Sequence, residues 1–188
     1  MRQYDYDILE EIKQRWSPRA FSSEPVEDDD LMAILEAARY APSCFNEQPW
    51  RFMIGQDETL PIMQSLLMEG NFKWAKYAPV LILILSKKTF DYNGKDNRYH
   101  SFDAGTSWGF LSLEATRRGY YTHAMAGYKR KLAKEILNIS DDLEPIAMVA
   151  LGRPGDKSDL DEKLRNDEKP NSRKPISSFI LKVGKVDE

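Results

Sequence analysis

Apolar positions recur at helical spacing in several stretches of the chain and as short unbroken runs in others. Ile8, Leu9, Ile12 and Trp16 share one helical face and predict a helix over 7–16, with Asp7 as its cap and Glu10 three residues on. Leu31, Ile34, Leu35 and Ala38 make the stripe of a second helix over 26–41, with Glu27 to Asp30 placing negative charge at its positive end. A shorter helix is predicted over 58–67, with Gly70 past its end. The longest helical pattern runs over 100–118 and closes at Gly119. It carries Gly105 and Gly109 four residues apart, which leaves one face almost bare. Each glycine costs roughly 1 kcal/mol of helix propensity against alanine, so close approach of another helix or a flat ligand is expected there. A last helix is predicted over 130–137.

The unbroken runs read as strands. The run Pro79 to Leu85 lacks alternation and predicts a strand buried on both faces. Residues 146–151 form a second such run, stopped by Gly152, while 50–54 and 120–124 are shorter strands. Residues 89–98 are polar and rich in Gly and Asn, a loop and a candidate lid. Residues 153–174 are polar and irregular, and 176–183 turn apolar again with a strand-like character. No repeat interrupts the 188 residues, which read as a single domain, 1–188. The arm from about 154 to 188 either wraps its own core or pairs with another subunit's sheet.

Composition narrows the function. A net charge of −3 gives no basic footprint for nucleic acid. The longest apolar run is too short to cross a bilayer, and the first residues contain no apolar signal region. One cysteine excludes an internal disulfide and suits a reducing cytoplasm. Two histidines and one cysteine show no metal-ligand spacing. His100 and His123 have no carboxylate or serine at a telling distance in sequence, so a hydrolytic triad is not expected. Asp103, at the start of the long helix, reads as a cap. No G-x-G-x-x-G fingerprint marks a dedicated dinucleotide site.

Polar binding groups are plentiful all the same. Arg15, Ser17 and Arg19 at the first helix exit can clamp a phosphate, or can simply be a solvated helix end. The stretch Ala37 to Phe52, AARYAPSCFNEQPWRF, leaves a helix at Pro42 and turns through Ser43, Cys44, Asn46 and Gln48 before entering a strand at Trp50. These turn residues can contact a flat heteroaromatic ring, or can satisfy local backbone groups. Asn71 is a ligand contact or a helix cap. Ala126 and Gly127 form a turn in which a small residue admits close approach of the backbone.

The block A-P-S-x-x-N-x-Q-P-W from Ala41 to Trp50, with R-x-S-x-R from Arg15 to Arg19, resembles the nitroreductase-like FMN-dependent NAD(P)H oxidoreductases. The resemblance extends to the apolar strand at Val80, the glycine-containing helix from Asp103, the MAGY turn, the LGRP strand end and Arg173 before the last apolar segment. It implies an α+β fold: a mixed, mostly antiparallel sheet flanked by helices, in an intertwined homodimer whose C-terminal extension embraces the partner. By resemblance, Arg15, Ser17, Arg19 and Arg173 hold the FMN phosphate, with Trp16 beside the ribityl chain. Asn71 binds the ribityl chain or ring, the turn of Pro42, Ser43, Cys44 and Asn46 reaches the flavin from the second subunit, and a main-chain amide at Ala126 or Gly127 faces the reactive nitrogen. No side chain is expected to be catalytic, because the flavin carries the hydride. The implied reaction is ping-pong: NADH or NADPH donates, and a nitroaromatic, quinone or similar small acceptor follows. A reductive dehalogenase or flavin-processing enzyme of the same fold, or a flavin-binding protein without turnover, is the alternative.

Overall fold

The computed structural model describes residues 2 and 4–183. In chain order the elements are α1 (Glu10–Gln14), α2 (Asp28–Arg39), β1 (Trp50–Gly55), α3 (Leu60–Ser65), α4 (Glu69–Ala75), β2 (Val80–Lys87), α5 (His100–Arg117), β3 (Tyr121–Met125), α6 (Arg130–Ile136), β4 (Leu143–Gly152) and α7 (Glu162–Asn166). The four strands form one sheet in the order β1-β2-β4-β3, and every pairing is antiparallel. Helices flank it, which makes the expected α+β arrangement.

β2, apolar from Val80 to Leu85, sits inside the sheet, as that run requires. Leu81, Leu83 and Leu85 face a core built with α3, α4 and α6, where Met63, Trp74 and Ala133 are buried. Val80, Ile82 and Ile84 face the other core, built with α2 and α5, where Ile34, Ala38, Leu111 and Ala115 are buried. Fully burying each such Leu or Ile contributes roughly 1.5–3 kcal/mol; the buried Ser86 that follows them is satisfied by donating to the His100 carbonyl at 2.6 Å. Small residues let α5 lie close to α2: Ser107 Oγ donates to the Ala38 carbonyl at 3.0 Å, and both are buried. Gly105 and Gly109 lie away from that contact. A methyl group added at either meets nothing within 4 Å, so the expected close neighbour is not among the described residues.

Several boundaries differ from the sequence expectation. The first helix is only five residues long and has no side-chain cap; Asp7 pairs instead with Lys13 Nζ at 2.8 Å. The 58–67 helix is a 3-10 turn, Asp57–Thr59, followed by the short α3. Gly70 does not lie past a helix end. It sits in the first turn of α4, where end positions tolerate it, and Asn71 is therefore helical rather than a cap. Asp103 is not a cap either; it lies inside α5, its amide bonded to the Tyr99 carbonyl at 2.9 Å. The polar stretch after β4 contains α7, capped by Asp161 through a 3.0 Å bond to the Leu164 amide.

The apolar segment 176–183 forms no strand. It contains a 3-10 turn, Ile176–Ser178, and residues 169–183 are exposed throughout. A strand needs a ladder partner, and this segment reaches no sheet edge of its own chain. The last part of the expected arm, 184–188, lies outside the described residues. Among the described residues, no helix is long and apolar enough to cross a membrane.

Candidate functional site

The segment leaving α1 is extended from Arg15 and runs alongside the edge strand β3. Trp16 meets the Tyr121 ring edge-on at 6.4 Å. The Pro18 carbonyl accepts from His123 Nδ1 at 2.7 Å, so that nitrogen carries the ring proton. His123 lies against Trp74 with ring centres 4.5 Å apart. Burial pushes its pKa below the usual value, against the pull of the Pro18 carbonyl, and it is a neutral support rather than an acid or base. Further on, Glu168 Oε1 accepts the amides of Arg19 and Ala20, both at 2.8 Å. The Gly155 amide donates to the Ala20 carbonyl at 2.9 Å, and Phe21 bridges Pro154. A methyl on Gly155 would lie 2.4 Å from the Phe21 carbonyl carbon, so glycine permits this contact.

The main chain is thus held at both ends of this segment, while the side chains of Arg15, Ser17 and Arg19 are left for other partners. Arg15 Nη1 lies 3.4 Å from Ser17 Oγ. Its pKa is lowered, first by burial and then by the neighbouring guanidinium charges of Arg2 and Arg173. The structure therefore brings Arg15 and Arg173 together from opposite ends of the chain. Arg2 joins them. Together with Lys174 these three arginines line a cleft of about 710 Å³. None of Arg2, Arg15, Arg19 and Arg173 forms an ion pair among the described residues. Asp5 also lines the cleft but pairs with none of them, so the cations outnumber the carboxylates four to one, which suits an anionic group with several oxygens, such as a phosphate.

The far end of β3 brings a second predicted pair together. Asn71 Nδ2 donates to the Gly127 carbonyl at 2.9 Å, and the Met68 amide reaches the same oxygen at 3.2 Å. A methyl on Gly127 would lie 2.7 Å from Asn71 Nδ2, so the small residue is needed for this contact. Ala126 beside it is exposed. Asn71 and Trp74 are one helical turn apart on α4, so that helix supports Gly127 through Asn71 and His123 through Trp74. Gly127 lies four residues beyond His123, just past the end of β3 at Met125. Charge lies at one end of this strip, and an amide side chain with a closely approached turn lies at the other.

The Pro42–Gln48 turn stands apart. Among the described residues no hydrogen bond, ion pair or ring contact links Pro42, Ser43, Cys44 or Asn46 to Arg15, Asn71 or Gly127. Phe45, Asn46 and Gln48 all have left-handed backbones, with φ of 52°, 55° and 51°. Ser43 Oγ accepts the Gln48 amide at 3.0 Å, and buried Asp103 accepts the Cys44 amide through Oδ2 at 3.1 Å. The predicted loop 89–98 closes on itself through a Thr89–Asp96 bridge and packs onto this turn. Phe90 and Tyr92 lie 5.9 and 6.4 Å from the Phe45 ring, and the Asp91 amide donates to Glu47. Phe45 remains 78% exposed, so the aromatic group covers little of itself. Cys44 has no histidine contact and is a free thiol.

Sequence reasoning missed Arg2, Glu168 and the tether from Asp103. Long sequence separation hides the first two, and a position near a helix start disguises the third. No group of three or more metal-ligating side chains occurs among the described residues.

Comparison with known proteins gives a consistent set of relatives. The sequence model of the Nitroreductase family matches residues 12–69 and 55–153. The crystal structure of an oxidoreductase containing FMN superposes with a TM-score of 0.93 at 39% identity, covering 99% of this chain and 96% of the other. A protein of Archaeoglobus fulgidus, named as a candidate NADH dehydrogenase/NAD(P)H nitroreductase, is 29% identical over 83% of this chain and 90% of its own. An iodotyrosine deiodinase of Thermotoga neapolitana is 26% identical over 80% of this chain and 89% of its own.

Proposed function

This chain belongs to the nitroreductase family, and from that premise we propose that it is an FMN-dependent oxidoreductase that takes hydride from NADH or NADPH and reduces an electron-poor acceptor, a nitroaromatic or a quinone. The observation that carries this reading is the cation-rich cleft, without ion pairs to its arginines, at one end of β3 with the Asn71–Gly127 contact at the other. FMN, when bound, supplies the hydride and electron chemistry.

The chain's own residues bind and orient. Arg15, Arg19 and Arg173 neutralise the phosphate, and Ser17 adds a hydroxyl donor. Trp16, held by Tyr121, walls the path of the ribityl chain. Asn71 is fixed by its bond to Gly127 and keeps its carbonyl oxygen free for a hydroxyl or ring donor. Ala126 and Gly127 present main chain rather than side chain to the ring. No side chain here is asked to transfer a proton, which fits a neutral, half-buried His123 bonded to a carbonyl.

The Pro42, Ser43, Cys44 and Asn46 turn completes the site of a second copy in a homodimer. Exposed Phe45, Phe102 and Phe110, the open Gly105 and Gly109 face, and the uncovered Phe179, Ile180 and Leu181 supply apolar surface for such an assembly. Donor and acceptor then use one pocket in turn.

Extraction of the chromophore from purified protein, followed by anaerobic titration with NADH, NADPH and then a quinone or nitroaromatic, tests the proposal. About one FMN per chain, reduced by a nicotinamide and reoxidised by the acceptor, is expected. A protein that takes up no flavin overturns it. The deiodinase relative supports a second reading, reductive dehalogenation, with the 89–98 loop over the substrate. Halide release from a halogenated phenol under reducing conditions separates the two.

A further inference from the structure

Arg2 is placed where no motif would put it. Its Nη1 donates to the Arg15 carbonyl at 2.8 Å and to the Lys13 carbonyl at 3.3 Å, and its Nε donates to the Asn171 carbonyl at 3.1 Å. Arg173 Nη1 donates to that same Asn171 oxygen at 3.2 Å. One guanidinium therefore ties the two segments that carry the candidate phosphate ligands, and it shares an acceptor with one of those ligands. Its Nη2 makes no hydrogen bond among the described residues.

A purely structural strap accounts for only part of this. The end of α1 is already served by Tyr4, whose hydroxyl donates to the Lys13 carbonyl at 3.0 Å. Asp7 is drawn to Lys13, and neither it nor Asp5, which lines the cleft, forms an ion pair with any of the arginines among the described residues. Placing a third guanidinium beside Arg15 and Arg173 raises mutual repulsion, and its charge acts on the half-buried Arg15 directly. Such an arrangement is favourable once an anion with several acceptor oxygens enters.

We propose that Arg2 is a further phosphate-binding residue of the cofactor site, clamping the Arg15 and Arg173 segments with Nε and Nη1 and offering Nη2 to the phosphate. This rests on the FMN reading above. It also means that Arg2 closes the phosphate end of the site.

The test compares FMN with riboflavin, which lacks the phosphate, in flavin-stripped full-length protein carrying its tag at the C-terminus. Arg2→Gln and Arg2→Lys are titrated with each flavin by fluorescence quenching. Arg2→Gln is expected to raise the Kd for FMN about tenfold while changing that for riboflavin less than about twofold, and Arg2→Lys is expected to fall between Arg2→Gln and the parent. An unchanged FMN affinity, or an equal loss for both flavins, overturns the assignment. If the parent protein binds neither flavin, the FMN reading fails separately, and inorganic phosphate decides the matter. Protection of the parent but not of Arg2→Gln against unfolding by phosphate upholds the anion site, and equal behaviour of the two removes it.

Discussion

The strip along β3 and the turn from Pro42 to Gln48 approach ligand binding in opposite ways. Along the strip the backbone is ordinary. No residue from Arg15 to Phe21 has a left-handed conformation, and the segment's main chain is fixed by bonds to the Gly155 amide and the Glu168 carboxylate. Its chemistry resides in charged side chains that can be exchanged one at a time. In the turn the backbone itself is the unusual feature. Phe45, Asn46 and Gln48 are left-handed, and such conformations cost non-glycine residues roughly 1–2 kcal/mol each. Asp103, Ser43 and the aromatic loop offset that cost. The contrast teaches that charge is sufficient to hold the tail of a cofactor, whereas a shaped main chain has to be in place before a ring arrives.

The comparison can be broken most sharply on the cationic side. Arg15→Ala combined with Arg19→Ala removes two charge-assisted partners, each worth about 1.5–3 kcal/mol, and FMN affinity should fall by at least about 100-fold with the fold intact. Flavin titration and far-ultraviolet circular dichroism check both halves. On the turn side, Asp103→Ala leaves the Cys44 amide without its acceptor. A loss of about 1–3 kcal/mol in urea unfolding is expected, with faster amide exchange confined to 43–48. Gly127→Ala drives a methyl into the tip of Asn71, a side chain that can yield, so the expected loss is about 1 kcal/mol with weakened FMN binding. Gln48→Gly relieves a left-handed backbone and should stabilise the chain by up to about 1 kcal/mol, although its bond to the Asn46 carbonyl is lost.

The smallest effect concerns pH. His123 titrates below its ordinary 6.5 in the folded chain because burial disfavours the imidazolium. Between the folded and unfolded values the unfolded chain binds more protons, so stability falls as pH drops through and below about 6.5. His123→Gln should flatten that acid limb in unfolding curves of the flavin-free protein.

What could be read from the sequence followed the same division. β2 declared itself by an unbroken apolar run and α2 by its stripe, because burial on two faces or one leaves a trace, and α5 by its length and its closing Gly119. The R-x-S-x-R cluster and the A-P-S to Q-P-W block were visible as residue types, and the structure joins Arg15 with Arg173 and Asn71 with Gly127. Strain at Phe45 was not visible, since nothing in a phenylalanine announces a positive φ. α4 was missed because Gly70 was read as a stop when it sits in a first turn. The strand expected over 176–183 failed because apolar composition supplies propensity but no ladder partner. Arg2 and Glu168 act across most of the chain length, beyond the reach of any local pattern.

The uncharged β2 run carries a further consequence for how this protein tolerates heat. Six consecutive residues, Val80 to Leu85, combine high strand propensity with no charge, and they stay harmless only while β1 and β4 cover both their edges. Once thermally released, that hexamer matches the kind of segment that stacks between molecules. Pro79 and the paired Lys87 and Lys88 bracket it and slow such stacking without preventing it. Heated samples are therefore expected to clump rather than refold, with an apparent melting point that depends on scan rate and protein concentration.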